Sequence, residues 1–293
     1  MNVLRLDYNS PSALKEFLEK NDMAMRKKFG QNFLVNANAR KTLVDALGME
    51  KGTRVWEIGP GLGAMTEEIL LRGANLTVFE IDRGFLSVLE QLFFDYERKG
   101  TFSLVRGDVL KTWKAELKNS GKPDCFFGNL PYNIAATLIG DTIEEGVRFD
   151  KMLVTVQKEV AKRILASPGE KDYSSLSVLC QWAYDVKPVI TLAGGNFWPR
   201  PNVDSMAVIM TPKAEFPRCE APEFFVKLQR ALFSLRRKTV KNNLSGFFSD
   251  AKDASRVLSS VGIDDNIRAE RLGVEKLLAL SDAIWSERQK AAH

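Results

Sequence analysis

Between residues 55 and 156 the chain alternates short apolar runs with helical stretches, and no other feature constrains its fold as tightly. Val55–Ile58, Leu76–Ile81, Phe102–Val105, Cys125–Phe127 and Met152–Val156 have the length and composition of buried strands. Helical patterns lie near 62–72, 84–98, 134–145 and 158–166. This order predicts a parallel sheet with helices on both faces. Val186–Leu192 and Ser205–Met210 flank Phe197-Trp-Pro-Arg-Pro201. Because the prolines fall in the connection, both runs read as antiparallel strands that close the sheet. Past Pro212 the strand signals stop. Phe224, Phe225, Leu228 and Leu232 then repeat at helical spacing, as do Val274, Leu277, Leu278, Ser281 and Trp285. The expectation is an α/β chain: a doubly wound, mostly parallel sheet with an antiparallel strand pair over 1–213, then a small all-helical domain over 214–293. Residues 1–25 form an N-terminal extension in which Ser10-Pro11 opens a short helix. Asn36 caps a second helix that stops at Gly48.

Composition narrows the chemistry. The single histidine is the last residue, His293. An imidazole base, a Ser-His-Asp triad and a His-ligated metal are therefore excluded in practice, and no metal is expected. Three scattered cysteines, Cys125, Cys180 and Cys219, argue against a disulfide framework and for the cytoplasm. No run reaches the roughly 20 apolar residues of a membrane span. A net charge of +5 favours an anionic partner. Basic residues gather at Arg26, Lys27 and Lys28, and again at Arg230, Arg236, Arg237, Lys238 and Lys241, a stretch with no acid. Each cluster reads either as a solvated face or as a phosphate contact.

The strand ends carry the candidate site. The first strand runs into Glu57-Ile-Gly-Pro-Gly-Leu-Gly-Ala64. Glycines there let backbone turn sharply and approach a ligand, and Gly59, Gly61 and Ala64 fit the looser dinucleotide spacing. Glu80 ends the second strand, placed to accept both hydroxyls of a ribose, while Asp82 beside it reads as a helix cap. Asp108 ends the third strand; its carboxylate suits an adenine amino group, with Ile81 and Val109 as apolar walls. The fourth strand ends in Phe127-Gly-Asn-Leu-Pro-Tyr132. The Asn129 amide oxygen and the Leu130 carbonyl, held outward by Pro131, can accept both hydrogens of an aromatic amine. Tyr132 offers a face on which a base can stack. Such acceptors orient a weakly nucleophilic exocyclic amine toward an electrophilic methyl group, a reaction that needs neither metal nor histidine.

These residues resemble the S-adenosylmethionine-dependent ribosomal RNA adenine dimethyltransferases, most closely the small-subunit enzymes of the kasugamycin-sensitivity type. The match rests on Lys28-Phe-Gly-Gln-Asn-Phe-Leu34, Glu57-Ile-Gly-Pro-Gly61, Asn129-Leu-Pro-Tyr-Asn133, Pro201-Asn-Val-Asp-Ser205, Arg236-Arg-Lys-Thr239 with Asn242-Asn243-Leu244, and Arg268-Ala-Glu270, in the family order. The resemblance implies a Rossmann-like domain, S-adenosylmethionine as cofactor, and contacts to it from Asn32, Leu34, Gly59, Gly61, Glu80, Ile81, Asp108, Val109 and Asn129. It also implies a target base held between Tyr132 and Phe197, and a substrate of two adjacent adenosines near the 3′ end of small-subunit ribosomal RNA. The partner is that RNA or the assembled small subunit, engaged by a monomer through the basic clusters and the helical domain. Departures from the family pattern fall at Ala135, Ala136, Asn202 and Gly273, and none removes a proposed catalytic group. Rival readings are a large-subunit methyltransferase of the macrolide-resistance type, an RNA-binding assembly factor with incidental catalysis, and a nicotinamide-dependent oxidoreductase.

Overall fold

The computed structural model describes residues 5–23, 31–248 and 251–292. Arg26, Lys27 and Lys28 lie outside the described residues, as does the side chain of Tyr132.

Helix α1 (Pro11–Lys20) begins where the Ser10 side chain accepts the Ala13 N–H. A two-residue strand β1 (Phe33–Leu34) leads to α2 (Ala37–Leu47), which Asn36 caps and which Gly48 ends in the left-handed conformation. Then come β2 (Arg54–Ile58), α3 (Ala64–Leu71), β3 (Asn75–Glu80), α4 (Arg83–Leu92), α5 (Phe94–Arg98), β4 (Phe102–Arg106) and α6 (Val109–Ser120). They are followed by β5 (Cys125–Asn129), α7 (Tyr132–Glu144), β6 (Lys151–Gln157), α8 (Lys158–Leu165), α9 (Ser175–Ala183) and β7 (Tyr184–Leu192). After β8 (Phe197–Trp198) and β9 (Ser205–Pro212), the chain continues through α10 (Pro222–Ser234), α11 (Val240–Asn243), α12 (Ala251–Ser260) and α13 (Val274–Ala292).

Seven strands form one sheet in the order β4-β3-β2-β5-β6-β9-β7. The first five are parallel to their neighbours, and β9 runs antiparallel to β6. The strand order reverses between β2 and β5. Right-handed crossovers therefore send helices to opposite faces and open a crevice at the carboxyl ends of those two strands. Strand alternation builds a core on each face. Val55, Phe127 and Leu153 join Leu43, Leu47 and Ile69 in one buried cluster. Trp56 meets Phe79 at 5.0 Å between ring centroids, and Phe126 meets Phe149 at 5.2 Å.

The chain divides into two compact units. The first takes Met1–Leu138, Phe149–Ala161 and Lys187–Thr211; the second takes Ile139–Arg148, Lys162–Val186 and Pro212–His293. Within the second, Trp182 packs on Phe225 at 4.7 Å and donates to the Pro217 carbonyl, while Tyr173 donates to the Leu272 carbonyl.

Three details depart from the sequence reading. The helix expected over 84–98 is interrupted at Phe93, a buried ring packed so close that a Cβ on Gly63 would lie 2.6 Å from it. Helix α6, absent from the sequence reading, carries Val109, Trp113 and Leu117 at helical spacing and buries Val109 and Trp113. The segment Phe197–Trp198, read as connection, forms a separate antiparallel pair with Phe33–Leu34.

Candidate active site

The crevice is floored by the glycine turn after β2. Gly59 and Gly61 have φ of +68° and +58°, backbone that L side chains rarely adopt. At Gly61 a Cβ would also stand 3.0 Å from the Phe33 ring, so a side chain there meets a strained backbone and a ring that must shift. Glu57, just before the turn, is 1% exposed, and its Oε2 accepts the Thr66 hydroxyl at 2.7 Å. Burial pushes its carboxyl up to about 8, so it is largely neutral near pH 7.

Glu80 ends β3 beside the turn. Its Oε1 accepts the backbone N–H groups of Ile81 and Asp82, each at 2.8 Å, and its Oε2 accepts that of Gly61 at 3.3 Å. Burial pushes Glu80 up to about 6 against the opposing pull of those three donors. Asp82 caps α4 through the Gly84 N–H and accepts a hydrogen bond from the Gln31 side chain, so its helix-cap reading is realised. Asp108 caps α6 through the Leu110 N–H while lying on the crevice wall.

Across the turn, Asn129 ends β5. Its Nδ2 donates to the Asn32 carbonyl at 3.2 Å, which leaves Oδ1 as the acceptor. The Leu130 N–H donates to the Thr155 carbonyl at 2.9 Å. Gly128 is required here, because a Cβ would come within 2.7 Å of the Leu130 side chain.

These elements enclose a cavity of about 330 Å³. Its wall brings together Asn32, Leu34, Gly59, Gly61, Glu80, Ile81, Asp108, Val109, Asn129 and Pro131. Ile81 is 44% exposed there, an uncovered apolar face beside Val109. Leu130 is buried and off the wall, its expected part being its carbonyl. Phe197 is also off the wall. It pairs with Leu34 in the small antiparallel strand pair, but its ring is 5% exposed and belongs to the cluster holding Leu34, Leu192 and Ala207.

A match to the family model described as ribosomal RNA adenine dimethylase extends over residues 23–285. The chain belongs to this family. A ribosomal RNA small subunit methyltransferase A from Treponema denticola is 50% identical over 283 residues, covering 95% of this chain and 96% of that one. The protein of that name from Bacillus cereus is 37% identical over 290 residues, covering 95% and 97%. Among solved structures, a dimethyladenosine transferase from Plasmodium falciparum has a similar fold, with a TM-score of 0.73, 23% identity, and 87% and 97% of the two chains covered. The 23S rRNA methyltransferase ErmE gives 0.61 at 20% identity, covering 86% and 98%. The fold is thus the Rossmann-like one of RNA methyltransferases.

Several residues of this adenine dimethylase were not singled out as site residues from sequence. Glu57, Phe33, Met65, Phe85 and Thr155 also line the cavity. The legible signal for two of them is a polar residue inside an apolar strand run: Glu57 between Trp56 and Ile58, and Thr155 between Val154 and Val156. The N-terminal extension, unassigned from sequence, supports the same wall. Tyr8 donates to the Leu62 carbonyl at 2.9 Å, and Leu14 and Leu18 share a buried cluster with Phe33, Leu62 and Phe85. Arg40 donates to the Leu34 carbonyl and to the Asn9 side chain.

The basic stretch of the second unit is partly engaged internally. Arg230 pairs with Glu144, Lys241 with Asp265 at 2.8 Å, and Arg236 with Glu270 at 3.1 Å. Arg236 also donates to the Lys171 and Tyr173 carbonyls. Arg237 and Lys238 are exposed, with no acidic partner among the described residues. Also among the described residues, no group of three or more His, Cys, Asp or Glu is placed to hold a metal, and no helix is long and apolar enough to cross a membrane. Burial pushes the Cys125, Cys180 and Cys219 thiols up to about 11, 12 and 11, which keeps them protonated near pH 7.

Proposed function

We propose that this chain dimethylates the exocyclic amines of two adjacent adenosines near the 3′ end of small-subunit ribosomal RNA, with S-adenosylmethionine as methyl donor. The observation that carries the reading is the Asn129 amide. Its nitrogen is bound to the Asn32 carbonyl, so its oxygen stands as an acceptor beside the glycine turn. The family match and the small-subunit relatives support the substrate class.

The cavity suits the donor chemically. Glu80 Oε2 accepts only the 3.3 Å Gly61 bond and so keeps one lone pair for a ribose hydroxyl, and the second hydroxyl is accepted in exchange for that long backbone bond. Asp108 has a second carboxylate oxygen for the adenine amine, between Ile81 and Val109. Gly59 and Gly61 let backbone approach the remainder of the donor, with Asn32 and Leu34 opposite. Held by these residues, S-adenosylmethionine would supply an electrophilic methyl group to the amine nitrogen, its sulfur leaving as a thioether and the amine proton passing to solvent.

The protein's part is orientation. Asn129 Oδ1 and the Leu130 carbonyl accept the two N–H groups of the amine, which aims its lone pair at the methyl carbon. Pro131 fixes the backbone at that carbonyl. Tyr132 stacks the base, with Phe197 as the second aromatic of the clamp, its ring buried with Leu34 and Leu192 in this structure. RNA phosphates are held by Arg26, Lys27, Lys28, Arg237 and Lys238, with smaller contributions from the ion-paired Arg230, Arg236 and Lys241. Residues 214–293, which the second unit joins with Ile139–Arg148 and Lys162–Val186, engage the RNA.

The test offers radiolabelled S-adenosylmethionine with unmethylated small subunits and, separately, unmethylated large-subunit RNA, followed by digestion to nucleosides. Dimethyladenosine from the small subunit alone is the expected result. Label in large-subunit RNA alone moves the chain to the macrolide-resistance branch. Donor binding with no label in either makes it an RNA-binding factor.

A further inference from the structure

Thr155 lies on the cavity wall with a hydroxyl that no described group engages. Its strand is otherwise apolar at Leu153, Val154 and Val156, and the residue is 1% exposed. A buried hydroxyl without a partner is destabilising, so an apolar residue of the same shape would serve the fold better. We propose that Thr155 is a further donor-binding residue whose hydroxyl hydrogen-bonds the amino-acid end of the methyl donor. The inference rests on the reading of the cavity as a donor site.

Position selects that end of the ligand. Thr155 pairs in parallel register with Asn129, so the two side chains lie next to each other on one face of the sheet. Its own carbonyl is engaged by the Leu130 N–H, which holds the strand against the Asn129–Leu130 turn. Glu80, which suits the ribose, stands three strands away in the order β3-β2-β5-β6. Three strand spacings are about 14 Å. A donor whose nucleoside sits at Glu80 and Ile81 therefore reaches Thr155 only with its far end, which carries an ammonium and a carboxylate. The hydroxyl can serve either group, as acceptor or as donor. Pro131, beside the proposed place of the target base, is half-buried, whereas Thr155 is at the buried end of the wall.

The experiment measures binding and needs no turnover. Thr155→Val removes the hydroxyl and keeps the shape; Thr155→Ser keeps the hydroxyl. Each is titrated calorimetrically with S-adenosylhomocysteine and with 5′-methylthioadenosine, which has the nucleoside but lacks the amino-acid end. Thr155→Val is expected to bind S-adenosylhomocysteine about tenfold more weakly, the size of one hydrogen bond to a charged group, and methylthioadenosine as the parent does. Thr155→Ser is expected to retain most of the affinity for both. The ligand-free valine variant should melt no lower than the parent, since it loses an unsatisfied hydroxyl. Unchanged S-adenosylhomocysteine affinity in the valine variant overturns the proposal, and so does an equal loss for both ligands, which signals damage to the cavity's shape. If the parent binds neither ligand, the donor-site reading fails first and the Thr155 role falls with it. Thr155→Ala gives the same comparison should the valine variant not fold.

Discussion

The two halves of the cavity, either side of the glycine turn, are built on opposite principles. On the β3–β4 side the polar groups are carboxylates already tied to backbone: Glu80 accepts three N–H groups and Asp108 caps a helix. On the β5–β6 side they are neutral, and their useful atoms carry no hydrogen bond from a described group: the Asn129 oxygen and the buried Thr155 hydroxyl. Under the proposed function, the first half holds the donor's nucleoside in a geometry fixed beforehand. The second half waits for groups that react or that arrive with the ligand. Binding and chemistry should therefore separate when each half is damaged alone.

The largest effect is expected on the open side. Asn129→Ala should lower turnover by at least about a hundredfold, the scale of losing one oriented polar group at a reacting centre, while RNA affinity in a filter-binding assay stays near the parent's. Near-parental turnover would remove Asn129 from the mechanism. On the tied side, Glu80→Ala should weaken S-adenosylhomocysteine binding by roughly tenfold to a hundredfold, with RNA affinity again retained. Ionised Glu80 is the better acceptor for ribose hydroxyls. Since burial holds it at about 6, donor affinity should fall as pH drops through that value, and calorimetry on Glu80→Gln should show a flat profile.

Glu57 sits where the halves meet, and its effect is on stability. Its folded value of about 8 lies above the ordinary 4.5, so the folded state binds the proton more tightly than the unfolded one. Stability should then be highest below about pH 4.5 from this group and decline as pH rises toward 8; Glu80 adds the same sign over a narrower window, up to about 6. Denaturant titrations of Glu57→Gln should lack most of that decline. The smallest effect belongs to the second unit. Charge reversal at Arg237 should reduce the slope of log affinity for RNA against log salt by about 1 for one lost phosphate contact. Reversal at Arg236 should lower the melting temperature as well, because its guanidinium faces Glu270 and two carbonyls.

The same contrast explains what was legible in the sequence. Glu80, Asp108 and the glycines follow a strand end at a regular spacing, so a reading along the chain finds them. The parallel core strands were equally plain, because each is a continuous apolar run between glycines or caps. What the chain order concealed was contact between distant segments. Asn32 meets Asn129 across 97 positions, and Tyr8 meets Leu62 across 54. The ion pairing of Arg230 with Glu144 had no local sign either; a run of five bases without an acid reads as free charge until the fold brings in its partners.

The clasp between Phe33–Leu34 and Phe197–Trp198 bears on how the protein is made. Phe33 and Leu34 form part of the cavity wall, yet their strand partner is encoded more than 160 residues later. A growing chain can complete the glycine turn, Glu80 and Asp108 early, but it has no β1–β8 pair until residue 198 has emerged. A fragment ending before that point carries the acidic half of the cavity without the finished wall, so the site closes only after residue 198 has been made.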